Sequence, residues 1–192
     1  MEALLQMGHY AGVSAASSAF DVARDVFTGR GLRNPGTGAD LEPIIPTTRD
    51  DRLAAFHRVA KDLGIGRLGK GPDAKPLAML KSGPWSIQAR DLPLEHEINA
   101  IQAEYGYGEC WGRPALGYRI RSFVTMATLM ALVENDQLHF HINNALNLEI
   151  TPEEVYECLL QAGVYHGGSG YRNAANVLRD VFLQRGIVEP VG

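Results

Sequence analysis

The sequence predicts an all-α protein, and three observations carry that expectation. A nearly continuous apolar helix covers about Leu116–Val133 and is followed at once by a second helix bearing two histidines. The chain also contains an internal repeat: Glu2–Leu32 aligns without gaps on Glu157–Ile187, with 16 identities in 31 positions, so the two segments must share one shape. Every other element that the residue pattern defines clearly is helical as well.

Each repeat reads as a helix, a Gly/Ser turn and a second helix. Leu4, Leu5, Gly8 and Tyr10 match Leu159, Leu160, Gly163 and Tyr165, and Val22, Val26 and Phe27 match Val177, Val181 and Phe182. Each closes on Arg-Gly, a basic last turn with a left-handed cap. The apolar face of the N-terminal pair has too few partners within its own copy, so it is expected to pack on the rest of the chain or on a neighbouring subunit. Gly29–Thr48 reads as a Gly/Pro-rich linker, and Asp50–Leu63 as an amphipathic helix with Leu53, Phe56, Ala60 and Leu63 on one face and Gly64 as its stop. Gly64–Pro72 contains a G-x-G-x-x-G and a near miss of a phosphate loop. Gly71 stands where Ser or Thr is required, and a helix precedes it instead of a strand, so a plain, locally basic loop is predicted. A short helix at Ala74–Lys81 and an extended connection should follow. Pro93 then opens a helix running through Ile98, Ile101 and Tyr105 towards Glu109. Tyr105, Tyr107 and Trp111 suit a core or a flat-walled pocket for a small ring, and Glu109 and Arg113, four apart, suit a pair.

In the first central helix Ile120, Phe123, Val124, Ala127, Met130 and Ala131 share one face, and most remaining positions are apolar too. The single polar stripe is Arg121, Thr125 and Thr128, which carries a guanidinium along a buried wall. That is costly unless an anion meets it, either an acidic side chain of the protein or a substrate carboxylate. The second helix is expected from Asn135, as N-cap, to Asn147, with His139 and His141 roughly 200° apart around it, so that one metal cannot bind both. Thr151-Pro152-Glu153-Glu154 is a capping box that opens the next helix.

The 192 residues suffice for one well-buried domain plus a small appendage. A formal charge of −4 leaves no basic excess for nucleic acid. Cys110 and Cys158 have no metal or redox spacing, the N-terminus lacks the pattern of a signal peptide, and the longest apolar run is too short for a bilayer. A cytoplasmic protein with no metal is expected.

The runs GECWGRPALGYRIRSFVTMATLMAL and LHFHINNALNLEITPEEVYECLLQAGVYHG resemble the carboxymuconolactone decarboxylase family, a branch of the all-helical alkylhydroperoxidase D-like superfamily, from about Glu97 to Arg185. The resemblance implies an alkylhydroperoxidase D-like helical domain over residues 47–192, preceded by a partial repeat, a duplicated helical hairpin, at 1–32 and a linker at 33–46. In the peroxidase branch a C-x-x-C pair precedes a histidine, with a glutamate upstream. If His141 takes that histidine's place, the cysteine places fall on Glu134 and Gln137 and the glutamate place on Ser122, so thiol peroxidase chemistry is not expected. The decarboxylase branch is closer, through the E-x-W-x-R-P run (Glu109, Trp111, Arg113, Pro114) and through Arg121 and His141. The implied function is cofactor-free decarboxylation of a small carboxylated lactone or related unsaturated acid. Expected catalytic residues are His141, Arg121 and Glu109; expected substrate contacts are Arg113, Trp111 and Tyr165. An isomerase or cyclase working by proton transfer, and a non-catalytic binding or assembly subunit, are the alternatives. A small acidic substrate and self-association through the helical hairpins are the expected partners.

Overall fold

Tyr118–Leu132, here α4, is apolar nearly all round because elements lie against it on several sides. The computed structural model describes residues 1–32, 48–65, 67–68, 75–76, 97 and 100–189. Before α4 come α1 (Glu2–Ala11), α2 (Val13–Gly29), α3 (Arg49–Leu63) and a π-helix at Gln102–Trp111. After it come α5 (Asn135–Asn147), α6 (Pro152–His166) and α7 (Gly168–Gln184). The described residues are thus overwhelmingly helical. The one exception is an antiparallel pairing of Arg67–Leu68 with Lys75–Pro76, so the helix expected at Ala74–Lys81 is replaced by extended backbone where it is described. The rest of that helix, most of the linker, and the Pro93 start lie outside the described residues.

The main core joins Met126, Leu129 and Met130 of α4 to Leu138, Ile142 and Ala145 of α5, Val155 and Leu159 of α6, and Leu178 and Val181 of α7. A second cluster joins Val59 and Leu63 of α3 to Tyr107 and Trp111 of the π-helix and Phe140 of α5. Arg185 ties the layers together. It donates to Asn143 Oδ1 and Asn147 Oδ1 at 2.8 and 2.7 Å, while Asn147 Nδ2 donates to the carbonyls of Leu63 and Gly64, both at 3.1 Å.

The capping box at Thr151–Glu154 is formed in both directions. Thr48 caps α3 by accepting from the Asp51 amide, and Gly64 ends that helix in the left-handed region. Asn135 is the first helical residue of α5 and not its cap; Glu134 holds that place without a side-chain bond. The stretch before α4 is not α-helical as expected but bonds i→i+5. That winding brings Glu104 and Glu109, five apart, to the same Arg52, at 3.1 and 3.9 Å. It also turns Gly108 onto α3, where a Cβ would lie 2.5 Å from the Arg52 carbonyl oxygen.

The two repeats fold alike. Their turns are Gly12 (φ 91, ψ 161) and Gly167 (φ 98, ψ 165), each followed by a 17-residue helix. Both end in the same left-handed glycine motif, with Leu32 N to Phe27 O and Ile187 N to Phe182 O at 2.9 Å each.

Candidate active site

Helix α1 lies on α4 and the π-helix of its own chain, and the residues it turns inward are Glu2, Gln6 and Tyr10, each four after the last. That spacing makes one stripe along a helix. Arg121 is fully buried beneath it. Its Nη1 donates to Gln6 Oε1 at 2.8 Å, Nη2 to Glu2 Oε2 at 3.3 Å and to the Arg113 carbonyl at 3.0 Å, and Nε to the Leu116 carbonyl at 2.9 Å. The anion demanded by the buried arginine is therefore present, and the protein itself provides it. Arg113 forks onto the same carboxylate, with Nε 2.9 and 3.0 Å from its two oxygens and Nη2 2.6 Å from Oε1. The Arg113 hydrogen bond, first among several causes, holds the Glu2 carboxyl below its ordinary range.

One turn along, Gln6 Nε2 donates to Thr125 Oγ1 at 3.0 Å, and Cys110 Sγ lies 3.3 Å from Gln6 Oε1. A further turn brings the Tyr10 hydroxyl 3.1 Å from His141 Nε2 and within 2.9 Å of the donating Trp111 Nε1. The Trp111 and His141 rings stack, with centroids 5.7 Å apart and planes 10° from parallel. His141 is buried, its Nδ1 has no hydrogen-bond partner among the described residues, and burial pushes its pKa down to about 3. The His141 ring is thus neutral at neutral pH.

The structure brings Trp111, Arg113, Arg121 and His141 into this one cluster under α1. Glu109 is not paired with Arg113, whose guanidinium goes to Glu2. It lies instead near Arg52 on the wall of a cleft of about 480 Å³ between the N-terminal hairpin and the π-helix, together with His9, Phe20, Tyr105, Cys110 and Arg113. His9 packs edge-on against Tyr10 and lies over Gly106, where a Cβ would come 2.6 Å from its ring. Tyr165 is 84% exposed on α6 and lines a different groove, with Arg119, Phe123, Glu157 and Gln161. Its repeat counterpart, Tyr10, is the tyrosine at the cluster. Sequence reasoning passed over Glu2, Gln6 and Tyr10, although the repeat carried the signal, since the same stripe recurs as Glu157, Gln161 and Tyr165. His139, also buried, bonds through its carbonyl to Asn143 Nδ2 at 3.0 Å. Among the described residues no group of three or more His, Cys, Asp or Glu is placed to hold a metal ion, and no helix is long and apolar enough to cross a membrane. Cys110 and Cys158 lie in separate elements, and burial pushes both thiols up to about 11.

Two curated proteins are similar to part of this chain. The 4-carboxymuconolactone decarboxylase of Acinetobacter baylyi is 34% identical over 85 residues, 44% of this chain and 63% of that protein. The nitrosuccinic acid decarboxylase npaB of Metarhizium robertsii is 33% identical over 75 residues, 39% of this chain and 52% of that protein. The chain thus spans between about half and two thirds of the length of these relatives. Residues 97–180 match the model of the carboxymuconolactone decarboxylase family. The helical segment that gathers Trp111, Arg113, Arg121 and His141 in one place is thus similar to the carboxymuconolactone decarboxylase family.

Proposed function

We propose that this chain decarboxylates a small carboxylated lactone or a related unsaturated acid without a cofactor. The observation that carries the reading is that Arg113 and Arg121 already share one carboxylate, that of Glu2, on the helix whose Tyr10 reaches His141. In the reaction the bond to the carboxylate carbon breaks, CO₂ leaves, and the electron pair spreads onto a conjugated carbonyl oxygen. A proton, drawn in net from solvent, then adds to carbon. Two guanidinium groups suit both the carboxylate and the developing oxyanion, and a substrate carboxylate would take the place of Glu2. His141, neutral and shielded from water, supplies a hydrogen-bond donor close by. Glu109 and Arg113 on the cleft wall mark the approach to the site.

One observation favours a second reading, a binding or assembly subunit: neither Arg121 nor His141 lines the cleft, and α1 covers both. An isomerase working at the same site would release no CO₂. The deciding experiment measures CO₂ from 4-carboxymuconolactone and nitrosuccinate, the acids for which the relatives are named. His141→Asn should lose on the order of 10²-fold or more in turnover, while His139→Asn should change it little. No CO₂ from the wild type would reject the decarboxylase reading for these acids, and full activity in His141→Asn would reject His141.

We also propose self-association through the N-terminal hairpin. In α7 the face holding Val177 and Val181 is covered by the core, and Val181 is 0% exposed; the matching Val22 and Val26 on α2 are 64% and 47% exposed. A second copy presenting the same face would cover them.

A further inference from the structure

We propose that Tyr10 is a positioning residue that holds His141 as its Nδ1–H tautomer, so that the Nδ1 hydrogen is the one presented to the reacting molecule; this rests on the reading of His141 as the site's neutral hydrogen-bond donor. The argument follows the direction of each hydrogen bond outward from Arg121. A guanidinium only donates, so the Gln6 atom it meets is the carbonyl oxygen, and the Gln6 amide must turn its hydrogens to Thr125. The next polar group along α1 is the phenol of Tyr10, whose oxygen lies 3.1 Å from His141 Nε2. Trp111 Nε1 is likewise donor-only and points at the same phenol oxygen. Tyr10 thus receives on its oxygen from Trp111, and His141 Nε2 is the acceptor in reach of its own hydrogen.

A nitrogen that accepts carries no hydrogen, so in the neutral ring the proton sits on Nδ1. That atom is the one buried side-chain nitrogen of the cluster with no partner among the described residues. An unsatisfied buried donor costs free energy in the resting protein, and it is the feature expected of a group whose partner arrives with the ligand. The low pKa of His141, set first by burial and then by His9, agrees with a ring that stays neutral.

The repeat supplies an internal control. Tyr165 stands in the same place on the same kind of helix but is exposed, so removing its hydroxyl tests the chemistry of the substitution without touching the relay.

The experiment uses the full chain labelled with ¹⁵N-histidine and reads tautomers at neutral pH from long-range ¹H–¹⁵N correlations, the His141 signals being those missing in His141→Asn. The wild type should show a protonated Nδ1 and an unprotonated Nε2. Tyr10→Phe should shift the tautomer ratio towards Nε2–H by about ten-fold, the effect of losing one buried hydrogen bond, while Tyr165→Phe leaves it unchanged. An Nε2–H ring in the wild type, or an unaltered ratio in folded Tyr10→Phe, would overturn the assignment. The wild-type spectrum decides even if Tyr10→Phe fails to fold. Absence of CO₂ release alongside an Nδ1–H ring would reject the functional reading and leave the tautomer assignment standing.

Discussion

Glu2 serves two arginines at once, and its ionisation links the site to stability. Its folded-state pKa lies below the ordinary glutamate value, chiefly through the Arg113 hydrogen bond. The stability it contributes is therefore complete above about pH 5 and is lost as pH falls through the depressed pKa. His139 and His141, both buried, are lowered by that burial. They act in the same direction from a higher pH, because the unfolded rings take up protons below about pH 6.5 while the buried ones do not. Urea midpoints should thus fall from about pH 6.5 downward in the wild type. In Glu2→Gln the portion below about pH 5 should be shallower, with the histidine portion retained. The same variant tests what Glu2 stands in for. If its carboxylate occupies the place of a substrate carboxylate, Glu2→Gln should bind succinate on the order of ten-fold more tightly by calorimetry, since an internal competitor has been removed. Unchanged or weaker binding would show that Glu2 and a ligand do not share the place.

Among the helices, the turn that joins α4 to α5 is strained. Val133 sits at φ 61, ψ 30, a left-handed conformation that costs a β-branched residue about 1–2 kcal/mol and that glycine adopts freely. Its side chain is half exposed, so little packing depends on it. Val133→Gly should therefore stabilise the protein by about 1 kcal/mol in chemical denaturation; a loss of stability would mean that the valine packs more usefully than its exposure suggests. The π-helix shows the opposite arrangement, an unusual winding that its surroundings enforce. Close approach of α3 at Gly108 and the shared Arg52 hold the i→i+5 turns that set Trp111 and Arg113 beneath α1. The two hairpins have the same turns and caps but different neighbours, so their matching faces are buried in one copy and open in the other.

For the whole molecule, the open face of α2 is the consequence that can be weighed directly. Light scattering of the full chain should show a mass above that of one subunit, and Val22→Asp with Val26→Asp should reduce it to the monomer; a wild-type monomer would reject self-association. The sequence by itself determined the helices, because apolar spacing, the Thr151–Glu154 capping box and the glycine stops act within a few residues of one another. The repeat likewise required two hairpins of one shape. The family motif pointed to Glu109, Trp111, Arg113, Arg121 and His141; the last four meet in the structure, while Glu109 turns to Arg52 on the cleft wall. Three things were left to tertiary packing. The residues before α4 suit an α- or a π-helix equally, and contact with α3 selects the winding. Glu2, Gln6, Tyr10 and Glu157, Gln161, Tyr165 are the same stripe written twice, so local sequence cannot say which one covers the arginines. The charge of His141 depends on desolvation by elements distant in the chain, above all α1, which are brought to the ring only when the chain folds.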